Sequence, residues 1–187
     1  MRTYCEHMRI GTHQKNSLSA RAPAACAPHP RWKTGVAALD HAIGGGFAFG
    51  RVHEIFAACA EDASAGAGFI LALAITGAEP QKPIIWLRNQ AAARAMGMIY
   101  AAGCADLGGT PETCLFVLAQ DAKTLLRASV DALRCGGLGA VVIESWGRMP
   151  ELDLTASRRL SKKKKKSGVP LLLLRIDTQP MPSAAET

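Results

Sequence analysis

The chain has 187 residues and a formal net charge of +7, with 49% of residues hydrophobic and 20% charged. That length allows one domain with a sizeable core, and the balance is that of a soluble globular protein. No run approaches the roughly 20 apolar residues of a membrane span and none reads as a secretory leader, so the expectation is a cytoplasmic protein with no membrane partner.

The charge is unevenly placed. Residues 1–33 carry six lysines and arginines against one acid, residues 34–150 eight against ten, and residues 151–187 eight against four. The middle is mildly acidic and both flanks are basic, which suits a polyanionic partner and says nothing of fold. Six cysteines are scattered with no CxxC pair. They read as reduced thiols, and the loose group Cys5, His7 and His13 matches no zinc spacing, so no metal site is expected.

In chain order, residues 1–31 lack apolar periodicity and end in "RAPAACAPHPR". They read as a disordered or loosely docked basic arm, with a transit peptide or a start codon placed too early as alternatives. Residues 32–187 read as one α/β domain. The triplet Gly44, Gly45 and Gly46 reads as a turn that needs positive φ and no ligand. Continuous apolar runs at residues 51–56, 83–87, 114–119, 139–144 and 170–176 predict strands buried on both faces. Helices are predicted in "SAGAGFILALAITGA", in "DAKTLLRASVDALRCGG" and in "DLTASRRLSKKKKKSG". The second is the clearest: Asp121 caps it, Leu125, Leu126, Val130 and Leu133 form one stripe, and Gly136-Gly137 ends it. Strand–helix alternation of this kind predicts a mostly parallel sheet covered by helices on both faces.

In such a sheet the loop after the first strand commonly cradles phosphate, under the signature G-x-x-x-x-G-K-[ST]. Here that place holds "AACAEDASAGAG". Gly66 and Gly68 permit a close backbone approach, but no glycine in the chain is followed by lysine. Glu61 and Asp62 stand there instead, and one carboxylate near phosphate costs about 1 to 4 kcal/mol. Gly66 and Gly68 are therefore positions of a degenerate nucleotide site, and ATP with magnesium is not expected as a cofactor. Glu144 ends the fourth run, where an acid would hold a magnesium water. It reads as a strand-end acid facing solvent, with a relic metal-binding acid as the alternative.

The segment "WKTGVAALDHAIGGGFAFGRVHEI", residues 32–55, resembles the stretch before the phosphate loop of RecA-type recombinases. It is more similar still to the ImuA family of inducible mutagenesis proteins, relatives of RecA and of the SulA division inhibitors. "LDLTASRRL" at residues 152–160 and "SGVPLLLLR" at residues 167–175 also resemble ImuA. The motif positions are Trp32, Thr34, Gly35, Leu39, Asp40, Gly44, Gly45, Gly46 and Glu54, all expected to be structural. The resemblance implies a RecA-like fold and a non-catalytic accessory role in SOS-induced, error-prone translesion synthesis. It implies as partners an ImuB-like Y-family polymerase relative, an error-prone replicative-type DNA polymerase, and RecA. No catalytic residue carries over. Relatives continue into a further strand, so the domain reads as shortened at its C-terminus.

The helix after "ASRRL" departs from the family. Leu152, Ala156 and Leu160 share one face, but Lys162, Lys163, Lys164, Lys165 and Lys166 then leave no apolar stripe. Lysine stems can lie over apolar surface and their charges suit a helix C-terminus. The run reads as a solvated helix end. The alternative is that it joins Arg158 and Arg159 in weak, sequence-independent contact with DNA phosphates. Two other functions stay open beside the accessory role: a nucleotide hydrolase with an irregular loop, and a SulA-like inhibitor of cell division.

Overall fold

Each of the five apolar runs becomes a strand, and all five pair in parallel. The computed structural model describes residues 30–79 and 81–186; of residues 101 and 164–166 it describes the backbone alone. The described strands of the sheet are β3 (Val52–Ala57), β4 (Ile84–Asn89), β5 (Cys114–Ala119), β6 (Ala140–Trp146) and β7 (Leu171–Ile176), in the spatial order β3-β7-β6-β4-β5. Before them, β1 (Arg31–Trp32) and β2 (Phe47–Ala48) form an antiparallel ribbon. The arm expected over residues 1–31 lies outside the described residues as far as residue 29. Its boundary is corrected by β1, where Arg31 pairs with Ala48 instead of belonging to an arm.

Parallel strands need crossovers, and the helices supply them. The short α1 (Ala37–Ala42) joins β1 to β2; the crossovers are made by α2 (Ala63–Gly77), α3 (Gln90–Met96), α4 (Ala101–Asp106), α5 (Ala122–Ala132) and α6 (Leu154–Ser167). The alternation of side chains along each strand divides the core in two. Leu172, Leu174, Val142 and Trp86 pack under α2, with Ile70 and Leu73. Leu171, Leu173, Ile143 and Leu87 pack under α5 and α6, with Leu125, Leu133 and Leu160. The fold is therefore an α/β sheet covered by helices on both faces. A side chain such as Leu172, wholly buried, contributes about 1.5–3 kcal/mol relative to exposure.

The central strands β6 and β7 are buried on both faces, as their unbroken apolar runs predict. β5 is not. It lies at the sheet edge, and Leu115, Phe116 and Leu118 are exposed. An apolar run reports low polarity and does not report which strand ends the sheet. The cap and the apolar stripe expected of α5 are present, but the helix ends at Ala132, short of the Gly136-Gly137 pair expected to end it. Asp121 Oδ1 accepts the Thr124 amide at 2.7 Å, and Leu125 and Leu133 are fully buried while Leu126 and Val130 are half-buried. Among the described residues, no helix is long and apolar enough to cross a membrane.

Candidate functional site

The motif of residues 32–55 builds a brace on the sheet. Trp32 is buried against Phe47, Phe49 and His53, with ring centroids 4.6–5.7 Å away. It also presses on the end of α2, where a Cβ at Gly77 would come within 2.8 Å of its ring. Asp40 Oδ1 accepts both the Thr34 amide at 2.8 Å and the Thr34 hydroxyl at 2.9 Å, which holds the approach to α1; Leu39 is half-buried beside it. Those Thr34 bonds, the backbone one foremost, hold the Asp40 carboxyl below its ordinary value. Gly35, Gly44, Gly45 and Gly46 all have positive φ. Gly46 is the most constrained, since a Cβ there would run into the Trp32 carbonyl. The glycine carbonyl also receives the Arg31 guanidinium at 2.7 Å. The Glu54 side chain is buried in an ion pair with Arg175, Oε1 to Nη1 2.9 Å. These positions hold the fold together.

No phosphate loop follows β3. After Ala58 and Cys59 the chain enters a 3-10 turn at Ala60–Asp62 and passes directly into α2. Gly66 and Gly68, which fall both at the loop position and in the helix predicted over residues 64–78, lie inside α2. Gly66 is a packing position: a Cβ would stand 3.2 Å from Leu174 Cδ1 and 3.3 Å from Ala57 Cβ. Gly68 meets nothing within 4 Å. The helix forms here because the segment is rich in alanine, the strongest helix former. Glu61 and Asp62 are exposed in front of it.

Glu144 contradicts the solvent-facing expectation. Only 1% of it is exposed. Its Oε1 accepts Arg88 Nη2 at 2.8 Å and its Oε2 accepts the Trp86 indole at 2.7 Å. Arg88 in turn donates to the carbonyls of Gly97 at 2.8 Å and Ala92 at 2.9 Å. The constellation is a clamp that ties α3 and the turn after it to the carboxyl ends of β4 and β6. Burial pushes the Glu144 carboxyl above its ordinary value, while the Arg88 guanidinium and the Trp86 indole pull it back. Register placed the partners together, since Arg88 and Glu144 are directly paired residues of β4 and β6.

Above the clamp lies a cavity of about 280 Å³ between α2 and the segment after α3, bounded by Ser64, Gly68, Leu71, Met98 and Tyr100. It occupies the carboxyl end of the sheet, where α/β proteins bind ligands. Its residues do not fit a nucleoside triphosphate with magnesium. The two carboxylate oxygens of Glu144 are both engaged, the glycines are helical, and no lysine borders it. Among the described residues, no three His, Cys, Asp or Glu side chains are grouped to hold a metal ion. Cys5, His7 and His13 lie outside them.

The basic run is the end of α6. Arg158, Arg159 and Lys162 are exposed and Lys163 is half-buried; the side chains of Lys164, Lys165 and Lys166 are outside the description. The degenerate-site positions and this helix are not brought together: Gly66 and Gly68 lie under one face of the sheet, and α6 covers the other. The inference from sequence missed Trp86, Arg88 and Arg175. A signal was present, because Arg88 and Arg175 are each a lone charge at the end of an otherwise apolar strand. A charge at such a place needs a buried partner.

No family model matches the chain, and no curated protein matches it. Among solved structures, the chain is similar to SulA from Pseudomonas aeruginosa, with 19% identity over 67% of this chain and 97% of that one and a TM-score of 0.49. The α/β assignment stands on the parallel sheet itself, with helices on both of its faces.

Proposed function

We propose that the chain is a non-catalytic, RecA-like accessory scaffold in error-prone translesion synthesis during the SOS response. One observation carries the non-catalytic part: where a phosphate loop would stand, the chain runs from β3 through a short turn into α2. Three parts of a hydrolytic site are missing or otherwise engaged. The lysine is absent, the glycines are helical, and the strand-end acid Glu144 is held by Arg88 and Trp86. The place in the DNA-damage response rests on the resemblance of residues 32–55, 152–160 and 167–175 to ImuA. The scaffold acts by docking, holding polymerase components near a lesion without turnover.

Affinity capture with this chain from DNA-damaged cells tests the assignment. The expected companions are an ImuB-like Y-family polymerase relative, an error-prone replicative-type polymerase, or RecA. Capture of a tubulin-like division protein in their place overturns it in favour of a SulA-like inhibitor. ATP turnover that Glu144→Gln abolishes overturns it in favour of a hydrolase.

A further inference from the structure

Cys104 and Cys114, ten positions apart in the chain, meet in the fold. Their Sγ atoms lie 3.0 Å from each other, about 1 Å beyond the length of a disulfide bond. Both are free thiols. The chain between them is folded to make the meeting. α4 stops at Asp106, Gly108 takes a φ of +83°, the Gly109 amide donates to the Cys104 carbonyl at 2.8 Å, and a 3-10 turn at Pro111–Thr113 leads into β5. Space around the pair is tight. A Cβ at Gly109 would come within 2.7 Å of Cys104 Sγ and 2.7 Å of Ile75 Cδ1. Cys104 Sγ is thus held against the Gly109 backbone, with Ile75 of α2 beside it.

The two thiols differ in access. Cys104 is wholly buried in the core under α2. Cys114, the first residue of the edge strand, is half-buried. A small oxidant therefore meets Cys114 first, with a second sulfur already behind it, which is the order of attacking and resolving thiols in a redox pair. Cys59 has a different neighbour: its Sγ donates to Asp62 Oδ2 at 3.3 Å.

We propose that Cys104 and Cys114 form a redox modification site, at which a hydroperoxide joins them in a reversible disulfide that fastens α4 to the start of β5. The Cys114 thiolate attacks the peroxide, takes one oxygen as sulfenic acid and releases hydroxide. The Cys104 sulfur then attacks the Cys114 sulfur, the S–O bond breaks and a second hydroxide leaves. The two thiol protons convert both hydroxides to water. The sulfurs together lose two electrons, and the peroxide gains them. A dithiol reverses the change by exchange and is itself oxidised. Burial first, and the Cys104 thiol second, push the Cys114 thiol up to about 12. Its thiolate is scarce at neutral pH, so the first step is slow. The second needs only the short approach between the sulfurs. The pair answers sustained oxidant, and closure spares Cys114 further oxidation. α4 starts directly after Tyr100, in the exposed segment that bounds the cavity above the Glu144 clamp. Closure anchors that segment from its C-terminal side. The inference rests on the pair alone and does not depend on the translesion assignment.

The test treats two proteins with hydrogen peroxide at neutral pH for hours: the parent chain, and a variant with serine at Cys5, Cys26, Cys59 and Cys135. Mass spectrometry after thiol blocking in denaturant reads the product. The variant is expected to lose two hydrogens and leave no thiol to block. Peptide maps of both proteins should link Cys104 to Cys114, and dithiothreitol should restore both thiols. Closing so short a loop should raise the melting temperature by about 5 °C. Chymotryptic cleavage after Tyr100 should slow several-fold. With Cys104→Ala added to the serine variant, Cys114 should gain oxygen in place of a link. Four results overturn the proposal. Cys114 gains oxygen while Cys104 stays free; both thiols survive the peroxide; the links join Cys104 or Cys114 to other cysteines or other chains; or the disulfide forms and changes neither melting nor cleavage. Because the parent chain is mapped alongside, a serine variant that fails to fold leaves the link itself still decided.

Discussion

Glu144, Arg88 and Trp86 show how a residue set can stand at a catalytic address and do structural work. The pair is buried and fully hydrogen-bonded at the carboxylate. Removing one partner of a buried pair leaves a charge without compensation and costs about 3–5 kcal/mol. Arg88→Met alone should therefore lower stability by about that amount in urea unfolding. The double variant Arg88→Met with Glu144→Gln keeps an acceptor for the Trp86 indole and should recover most of the loss. Equal losses in single and double variants would show that the pair is not coupled. Asp40 gives a prediction in pH. Its folded value lies below the ordinary 3.8, so its contribution is present above 3.8 and lost as pH falls through the lowered value. Asp40→Asn should thus melt below the parent at neutral pH, with the gap closing in acid. A gap that persists in strong acid would contradict the role given to the carboxylate.

At the scale of elements, glycines separate a loop from a helix. Gly68 lies in the second turn of α2 with open space at its Cβ position. Gly68→Ala should stabilise the protein by up to about 1 kcal/mol through helix propensity. A phosphate-cradling loop would respond in the opposite sense. Gly46→Ala should destabilise it, because φ is +109° and the Trp32 carbonyl blocks the Cβ. Melting curves of the two variants against the parent decide both. The five strands of the sheet and the helices α2, α5 and α6 were legible in the sequence, whereas α1, α3, α4 and the β1–β2 ribbon were not, because segments of two to seven residues carry too little periodicity. The start of α2 was legible only in part, because residues 64–68 satisfy both the position of a loop after β3 and the beginning of the alanine-rich helix. The fate of Glu144 was not legible either. Burial of a strand-end acid depends on the register of β4 with β6, and no local pattern in β6 encodes that. The exposure of β5 has the same cause: strand order is a property of the assembled sheet.

At the scale of the molecule, charge and site are segregated. The carboxyl ends of β4 and β6 hold a neutralised pair under an apolar cavity, while α6 extends its cations on the other face of the sheet. DNA has no evident seat at the strand ends. If α6 contacts single-stranded phosphates, affinity should fall steeply with salt, by about 0.7 in log–log slope for each contact. Replacing Lys162, Lys163, Lys164, Lys165 and Lys166 with glutamine should flatten that slope without altering the sheet core. An unchanged slope would make the run a solvated helix end.

The central claim is that this α/β sheet works without nucleotide. Isothermal titration of the purified chain with magnesium ATP, followed by a phosphate-release assay on the same sample, tests it most directly. The account predicts no saturable heat of binding and no release above buffer, because α2 fills the place of the cradle and Arg88 holds Glu144. Stoichiometric binding, or release that Glu144→Gln abolishes, would contradict it.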